Sequence, residues 1–252
     1  MSKLCIPIYI LILNKNENKQ NNKKNFGNGG ESIMTVAPMV QQFFEAMDWY
    51  NTEFFPYSII IPIIFTIGVL GLVFYCFKKP DLRRSAYLKA FVALIYFVFG
   101  LTLWVALKPI NYRLGLSMAL GNWFISFLLF AEVFWWKKIT FQLPQQKDLR
   151  YLSILLMFTG IFLYTIVELM TGHSWPEMVL FGAGCPTTIF LNGLLISSLS
   201  RITNKWVLGI VFTFSVFVGG NWAWGGITVD WIFFSSGVIG WAMLARYWDK
   251  KE

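Results

Sequence analysis

The chain has 252 residues and a formal net charge of +8, and 56% of its residues are apolar while only 13% are charged. With 25 Phe, 12 Trp and a mean hydropathy of +0.57, this composition excludes an ordinary soluble domain and predicts one bilayer-embedded domain of about six to eight spans. A single His excludes a multi-histidine zinc centre and bis-histidine haem ligation within one chain, and we expect neither a metal nor another cofactor.

The first 33 residues differ from the rest of the chain. An apolar run of ten residues, Leu4 to Leu13, is too short to span a bilayer, and the Asn/Lys-rich tract after it lacks the cleavage site of a signal peptide. Gly29-Gly30-Glu31 is what ribosome-binding-site-like DNA would encode, two codons before Met34. We therefore expect residues 1–33 to be an untranslated leader read as protein, with a disordered extension as the alternative.

An interfacial segment is predicted over residues 34–56. Val40, Phe43, Phe44 and Met47 follow the i, i+3, i+4, i+7 spacing of an amphipathic helix. The pattern predicts a helix over Pro38 to Trp49 that lies on the outer membrane surface.

Seven apolar stretches between residues 57 and 247 are long enough to cross about 30 Å at 1.5 Å per residue. Their apolar runs are continuous, which favours helices over the alternating strands of a membrane barrel. The fold class is therefore all-α, a polytopic integral membrane helix bundle. The predicted spans are Tyr57–Phe77, Tyr87–Leu107, Leu114–Trp136, Tyr151–Met170, Met178–Leu199, Trp206–Trp222 and Ile227–Tyr247.

The basic residues orient these spans. From Met34 onward, fourteen Lys and Arg fall on one set of connections, and the other set carries only Lys108 and Arg113. The positive-inside rule therefore predicts Met34 outside and residues 248–252 as a cytoplasmic tail. The positive charge is explained by topology, and no basic stripe interleaved with exposed aromatics indicates a nucleic-acid partner.

Three ionisable residues near the ends of spans are candidates for function. Glu132 lies close to the predicted cytoplasmic boundary, where pairing with Lys137 and Lys138 would make it a surface acid of little consequence. Glu168 ends the fourth span, and His173 follows in a short outer turn as either a structural residue or a ligand.

The most unusual segment is Phe181-Gly182-Ala183-Gly184-Cys185-Pro186, because it places two Gly and a Pro in the outer half of a span. Since Pro186 fits the first position of a helix, the fifth helix is predicted to start there and to leave residues 178–185 re-entrant or unwound. A continuous Pro-kinked helix, with the Thr188 hydroxyl bonded to the backbone, is the alternative.

A shared polar site is predicted where the outer ends of spans four to seven meet. Asp230 lies in the first turn of the last span, where it either complements the helix dipole or serves as a shielded acid. The candidate binding residues are Glu168, His173, Cys185, Thr187, Thr188, Asn221 and Asp230.

Six short motifs stand out along the chain: Tyr50-Asn51, Pro109-Ile110-Asn111, Gly172-His173, Cys185-Pro186-Thr187-Thr188-Ile189-Phe190, Gly219-Gly220 and Val229-Asp230. Together they resemble one known family, the polytopic bacterial membrane proteins called domain of unknown function 6064. The similarity extends from about Gln41 to Ala245, and it departs at Tyr112, where Pro is expected, and at Asn192, a polar residue in the fifth span. The resemblance implies a multi-span protein of the bacterial cytoplasmic membrane with no assigned activity and a start near Met34.

Two classes of function compete. The first is a transporter, channel or binding protein for a small solute or ion, with an extracytoplasmic polar site among spans four to seven. The second is a membrane-bound enzyme or redox component using Cys185, His173 and Asp230, for which no nucleophile–base pair or metal-ligand spacing is visible. A structural or sensory role is the remaining alternative, and homo-oligomerisation is left open.

Overall fold

A computed structural model describes residues 38–201 and 203–248, so the expectations for residues 1–33 and for the tail beyond Trp248 lie outside the described residues. Within these ranges the chain forms eight helices. α4 ends in a π-helical turn at Glu132–Trp136, and α5 contains one at Thr159–Leu163. The helices are α1 Pro38–Glu53, α2 Tyr57–Lys78, α3 Leu82–Leu107, α4 Tyr112–Trp136, α5 Lys147–Met170, α6 Gly184–Ser198, α7 Lys205–Trp224 and α8 Asp230–Arg246.

The described chain is all-helical apart from turns and irregular segments, and five of its helices are long and apolar enough to cross a membrane. These five are α2, α3, α4, α5 and α7, which is compatible with a multi-pass membrane protein. The other two predicted spans correspond to α6 and α8, which have only 15 and 17 residues. Seven spans and the orientation of the termini stay predictions.

The predicted amphipathic helix is present as α1, but its apolar side packs on the protein. Val40, Phe43 and Met47 are buried, and the Phe43 ring lies 5.2 Å from that of Trp222 in α7. The Asn51 amide donates to the backbone oxygens of Pro176 and Met178 at 2.6 and 3.1 Å. We call the end of the bundle that carries α1 the outer end, after the predicted orientation, and the opposite end the inner end.

Helix α6 is the central element, since all of its residues from Pro186 to Ser198 are buried. It packs between α5 and α8, and glycines allow its backbone to approach that of α5. A Cβ added at Gly160 of α5 would stand 2.5 Å from Phe190 N, and one added at Gly193 of α6 would stand 2.8 Å from Met157 N. These contacts fix the depth of α6 relative to α5.

The non-helical stretch before α6 confirms the prediction of an unwound segment, and the alternative of a continuous kinked helix is wrong. Helix α6 begins at Gly184, two residues before the predicted start, so Pro186 occupies its third position. The missing N–H of proline costs nothing there because the first four N–H groups of a helix have no intrahelical acceptor. Gly182 has φ of +103°, a conformation that favours glycine, and its N–H donates to Thr187 Oγ1 at 3.1 Å.

The inner end contains a buried ion pair that corrects the interpretation of Glu132 as a surface acid. Lys89 Nζ lies 3.4 Å from Glu132 Oε2, and the two side chains are 1% and 0% exposed. The carboxylate also accepts hydrogen bonds from Asn204 Nδ2 and from the N–H groups of Lys138 and Ile139. The interpretation failed because Lys137 has φ of +51°, which reverses the chain and folds residues 138–141 back over the carboxylate.

Candidate functional site

An internal space at the outer end, which we call the outer cavity, is bounded by every described helix except α2. Its volume is about 40 Å³, enough for about three water molecules. Val179 and Ala183 of the unwound segment line one side, and the first residues of α6 and α8 reach the space directly. Seven helices and one unwound segment therefore contribute to one partly enclosed site.

Aromatic side chains form much of the cavity wall. The ring centroids of Phe43 and Trp222 are 5.2 Å apart, and those of Phe214 and Phe233 are 6.5 Å apart. The seven aromatic wall residues are Phe43, Phe44, Phe99, Phe214, Phe233, Tyr164 and Trp222.

Asp230 is the most highly connected acid in the wall. It is the first residue of α8 and is 1% exposed. The Tyr164 hydroxyl donates to its Oδ1 at 2.8 Å, and the Cys185 thiol donates to its Oδ2 at 3.7 Å. The predicted approach of Cys185 and Asp230 is therefore present as a direct contact between side chains.

Glu168 is the second buried acid, also 1% exposed. Its Oε2 accepts a hydrogen bond from Val179 N at 3.0 Å, which joins the end of α5 to the unwound segment. The π-helical turn at Thr159–Leu163 shifts the register of α5 just before this point. Tyr164 and Glu168, four residues apart, consequently present their side chains to the cavity on the same face.

Asn122 of α4 contributes an acceptor without a partner. Its side chain is 6% exposed, and its Nδ2 donates to Met118 O at 2.9 Å. Its Oδ1 is buried and has no hydrogen-bond partner. Gly184 leaves room for this oxygen, because a Cβ added there would stand 3.3 Å from Oδ1. Since unpaired buried carbonyl groups are costly, this oxygen marks a place where a donor or a cation fits.

The wall has no basic side chain: none of the described residues that line the outer cavity is Lys, Arg or His. Two helix N-termini, those of α6 and α8, face the space and supply partial positive charge. Among the described residues no group of three or more His, Cys, Asp or Glu side chains could hold a metal ion. The site therefore presents mainly hydrogen-bond acceptors and aromatic rings.

Four of the predicted site residues lie outside the cavity wall. His173 stacks on Phe44 with ring centroids 4.1 Å apart, and Asn221 is exposed. Thr187 accepts the bond from Gly182 already described, while Thr188 Oγ1 lies 2.6 Å from both the Tyr96 hydroxyl and Gly184 O. These contacts give the threonines and His173 structural partners.

Sequence reasoning missed Asn122 and Tyr164 as wall residues. Asn122 could have been found as the one amide residue in the predicted third span. Tyr164 lies four residues before Glu168, the helical spacing that puts two side chains on one face.

The fold and the site define a class: a helical bundle with five helices long and apolar enough to cross a membrane, and an acidic, aromatic cavity at one end. Residues 40–251 match the model of a family described as a family of unknown function (DUF6064). The chain belongs to that family, which confirms the resemblance. No curated protein and no solved structure matches the chain.

Proposed function

We propose that the protein binds a small cation in the outer cavity, as part of an ion or small-solute transport or binding function in a bacterial cytoplasmic membrane. The proposal rests on one observation: Glu168 and Asp230 are both buried in a wall that contains no basic side chain. Because desolvation of a bare carboxylate is very unfavourable, a buried carboxyl group either holds a proton or is paired with a positive charge, and a bound cation would supply that charge here.

The charge of the cavity favours a monovalent cation. Two ionised carboxylates bring two negative charges, and each of the two helix N-termini offsets roughly half a charge. A residual charge of about −1 is left, which one monovalent cation neutralises. A divalent ion would leave the cavity with an uncompensated positive charge.

The proposed direction of access is extracytoplasmic. The cavity lies at the end that the asymmetry of Lys and Arg assigns to the outside, fourteen residues against two. The inner end is occupied by the Lys89–Glu132 pair, whose polar groups are mutually satisfied. In this proposal the cation therefore reaches the cavity from the outer end.

The alternative of a membrane-bound enzyme or redox component gains no support from the geometry. It requires Cys185 and His173 to act together, but Cys185 lines the cavity and His173 stacks on Phe44 outside the wall. Cys185 instead donates to Asp230, an arrangement that does not produce a nucleophile.

The test uses the full chain purified in detergent and its thermal unfolding midpoint in chloride salts of several monovalent and divalent cations. At least one cation should raise the midpoint saturably, by roughly 5–10 °C at a hundred times its Kd. Asp230→Asn and Glu168→Gln should abolish the shift. Glu177→Gln, the same chemical change at an exposed position of the same outer segment, should preserve it.

Two results would contradict the proposal. One is a wild-type midpoint that no cation shifts beyond the effect of ionic strength, which would leave a structural or sensory role. The other is a folded Asp230→Asn, Glu168→Gln double variant with an undiminished shift.

A further inference from the structure

We propose that the cation is an ammonium-type ion no larger than methylammonium. This inference rests on the proposed cation site and specifies its ligand. The observations that carry it are the aromatic wall, the unpartnered oxygen of Asn122 and the small volume of the cavity.

The wall is poorly suited to a hard metal ion. Four of its side chains, those of Asn122, Tyr164, Glu168 and Asp230, carry six oxygen atoms in total. Four of these six atoms already take part in hydrogen bonds within the protein. A hard ion must exchange its hydration shell for oxygen ligands, and Ca²⁺ takes six to eight of them. Because most of these oxygens are already hydrogen-bonded, they are a poor replacement for the water around such an ion.

The same wall is well suited to a nitrogen cation. Seven aromatic rings, among them Phe214 and Trp222, surround the acids. The faces of aromatic rings attract cations, and recognition of alkylammonium groups by aromatic cages is the best-known use of this interaction. Ammonium ions lose their water more readily than small metal ions, so ring faces can compensate for the loss.

The cavity offers hydrogen-bond acceptors, so its ligand has to supply the donors. Asn122 Oδ1 has no partner, and the carboxylates of Glu168 and Asp230 are acceptors. An ammonium nitrogen brings several N–H donors as well as its charge, whereas K⁺ has a similar charge and size but no donor. Asn122 is therefore the residue that we expect to distinguish methylammonium from K⁺.

The volume sets the upper limit on size. About 40 Å³ corresponds to roughly three water molecules, far below the 300–1,000 Å³ of a pocket for a drug-sized ligand. Ammonium and methylammonium fit this space, and tetramethylammonium does not. Tetramethylammonium also lacks N–H donors and serves as a control for charge alone.

The experiment is isothermal titration of the purified full chain with methylammonium chloride, KCl, NaCl and tetramethylammonium chloride at equal ionic strength. Methylammonium should bind at one saturable site at least tenfold more tightly than K⁺ or Na⁺. Tetramethylammonium should not bind. This comparison needs no variant and so does not depend on the folding of a mutant.

Two variants locate the binding. Asn122→Leu should reduce the preference for methylammonium over K⁺ by about tenfold, the size of one lost charge-assisted hydrogen bond. Phe214→Leu should weaken the binding of methylammonium by a similar factor, because an aromatic ring is lost from the cavity wall. Phe217→Leu is the matched control, since Phe217 lies on the same helix and is 74% exposed.

The possible failures are distinguishable. Binding of Na⁺ or K⁺ as tight as that of methylammonium would overturn the ammonium inference and leave the cation site standing. An absence of binding by every cation would overturn the proposed function as well. Equal losses in Phe214→Leu and Phe217→Leu would overturn the assignment of the ligand to the aromatic wall.

Discussion

Replacing Glu132 by Gln should strongly destabilise the protein. The change removes one charge from a pair whose members are 1% and 0% exposed, and it leaves the ammonium of Lys89 buried without a counter-charge. The remaining acceptors of Lys89, the backbone oxygens of Glu132 and Ile139, carry no full charge.

The expected cost is about 3–5 kcal/mol in the free energy of unfolding, the range for breaking a buried pair by removing one partner. The hydrogen bonds explain why the amide is a poor substitute. Oε2 accepts from Lys89, Lys138 and Ile139, while Oε1 accepts from Asn204. An amide has one acceptor oxygen, so its NH₂ group must face donors on one side.

Chemical denaturation in mixed detergent micelles measures this loss against wild type. Glu177→Gln makes the same chemical change at an exposed position and should alter stability by no more than about 0.5 kcal/mol. The double variant Lys89→Met, Glu132→Gln should be more stable than the sum of the single changes predicts, because no uncompensated charge remains. A Glu132→Gln protein within about 1 kcal/mol of wild type, or strictly additive changes in the double variant, would refute this reasoning.

Two further predictions concern packing and topology. Gly160→Ala should lower the free energy of unfolding by about 1–3 kcal/mol in the same assay, because the new Cβ would stand 2.5 Å from the α6 backbone. Gly71→Ala is the control: a Cβ there has no atom within 4 Å, so this change should be neutral or slightly stabilising. A reporter fused after Trp175 should register outside the cytoplasm and one fused after Lys79 inside it. The opposite pair of signals would reverse the predicted orientation and the proposed side of access.

The positions of the helices were predictable because they follow from local hydropathy. The stretch predicted as Tyr57–Phe77 is the helix Tyr57–Lys78, and that predicted as Trp206–Trp222 is Lys205–Trp224. Composition also indicated the unwound segment before α6, since glycine and proline act on the backbone at their own positions.

The partners of the polar residues were not predictable in the same way. Lys89 and Glu132 are 43 residues apart, and Tyr164 and Asp230 are 66 residues apart. Their pairing depends on how the helices pack, on the π-helical turn of α5 and on the left-handed conformation of Lys137. The hydrophobic pattern of the sequence indicates none of these three features. The sequence consequently indicated Asp230 as a site residue but assigned Glu132 the wrong surroundings.

The contrast between these buried acids is the strongest argument for where function lies. Glu132, Glu168 and Asp230 are each at most 1% exposed, so burial alone does not separate them. Glu132 has a lysine, an asparagine amide and two backbone N–H groups around it, and every one of those contacts lies within the protein. These groups balance the negative charge of Glu132 and satisfy its two oxygens, as a structural role requires.

The two outer acids are compensated differently. Asp230 receives a hydroxyl and a thiol, Glu168 receives a backbone N–H, and both face a cavity without a basic side chain and with the unpartnered oxygen of Asn122. The outer acids thus lack a cationic side chain such as the one that Lys89 supplies to Glu132. This difference is the observation that supports the proposal of a cationic, hydrogen-bond-donating ligand at the outer end.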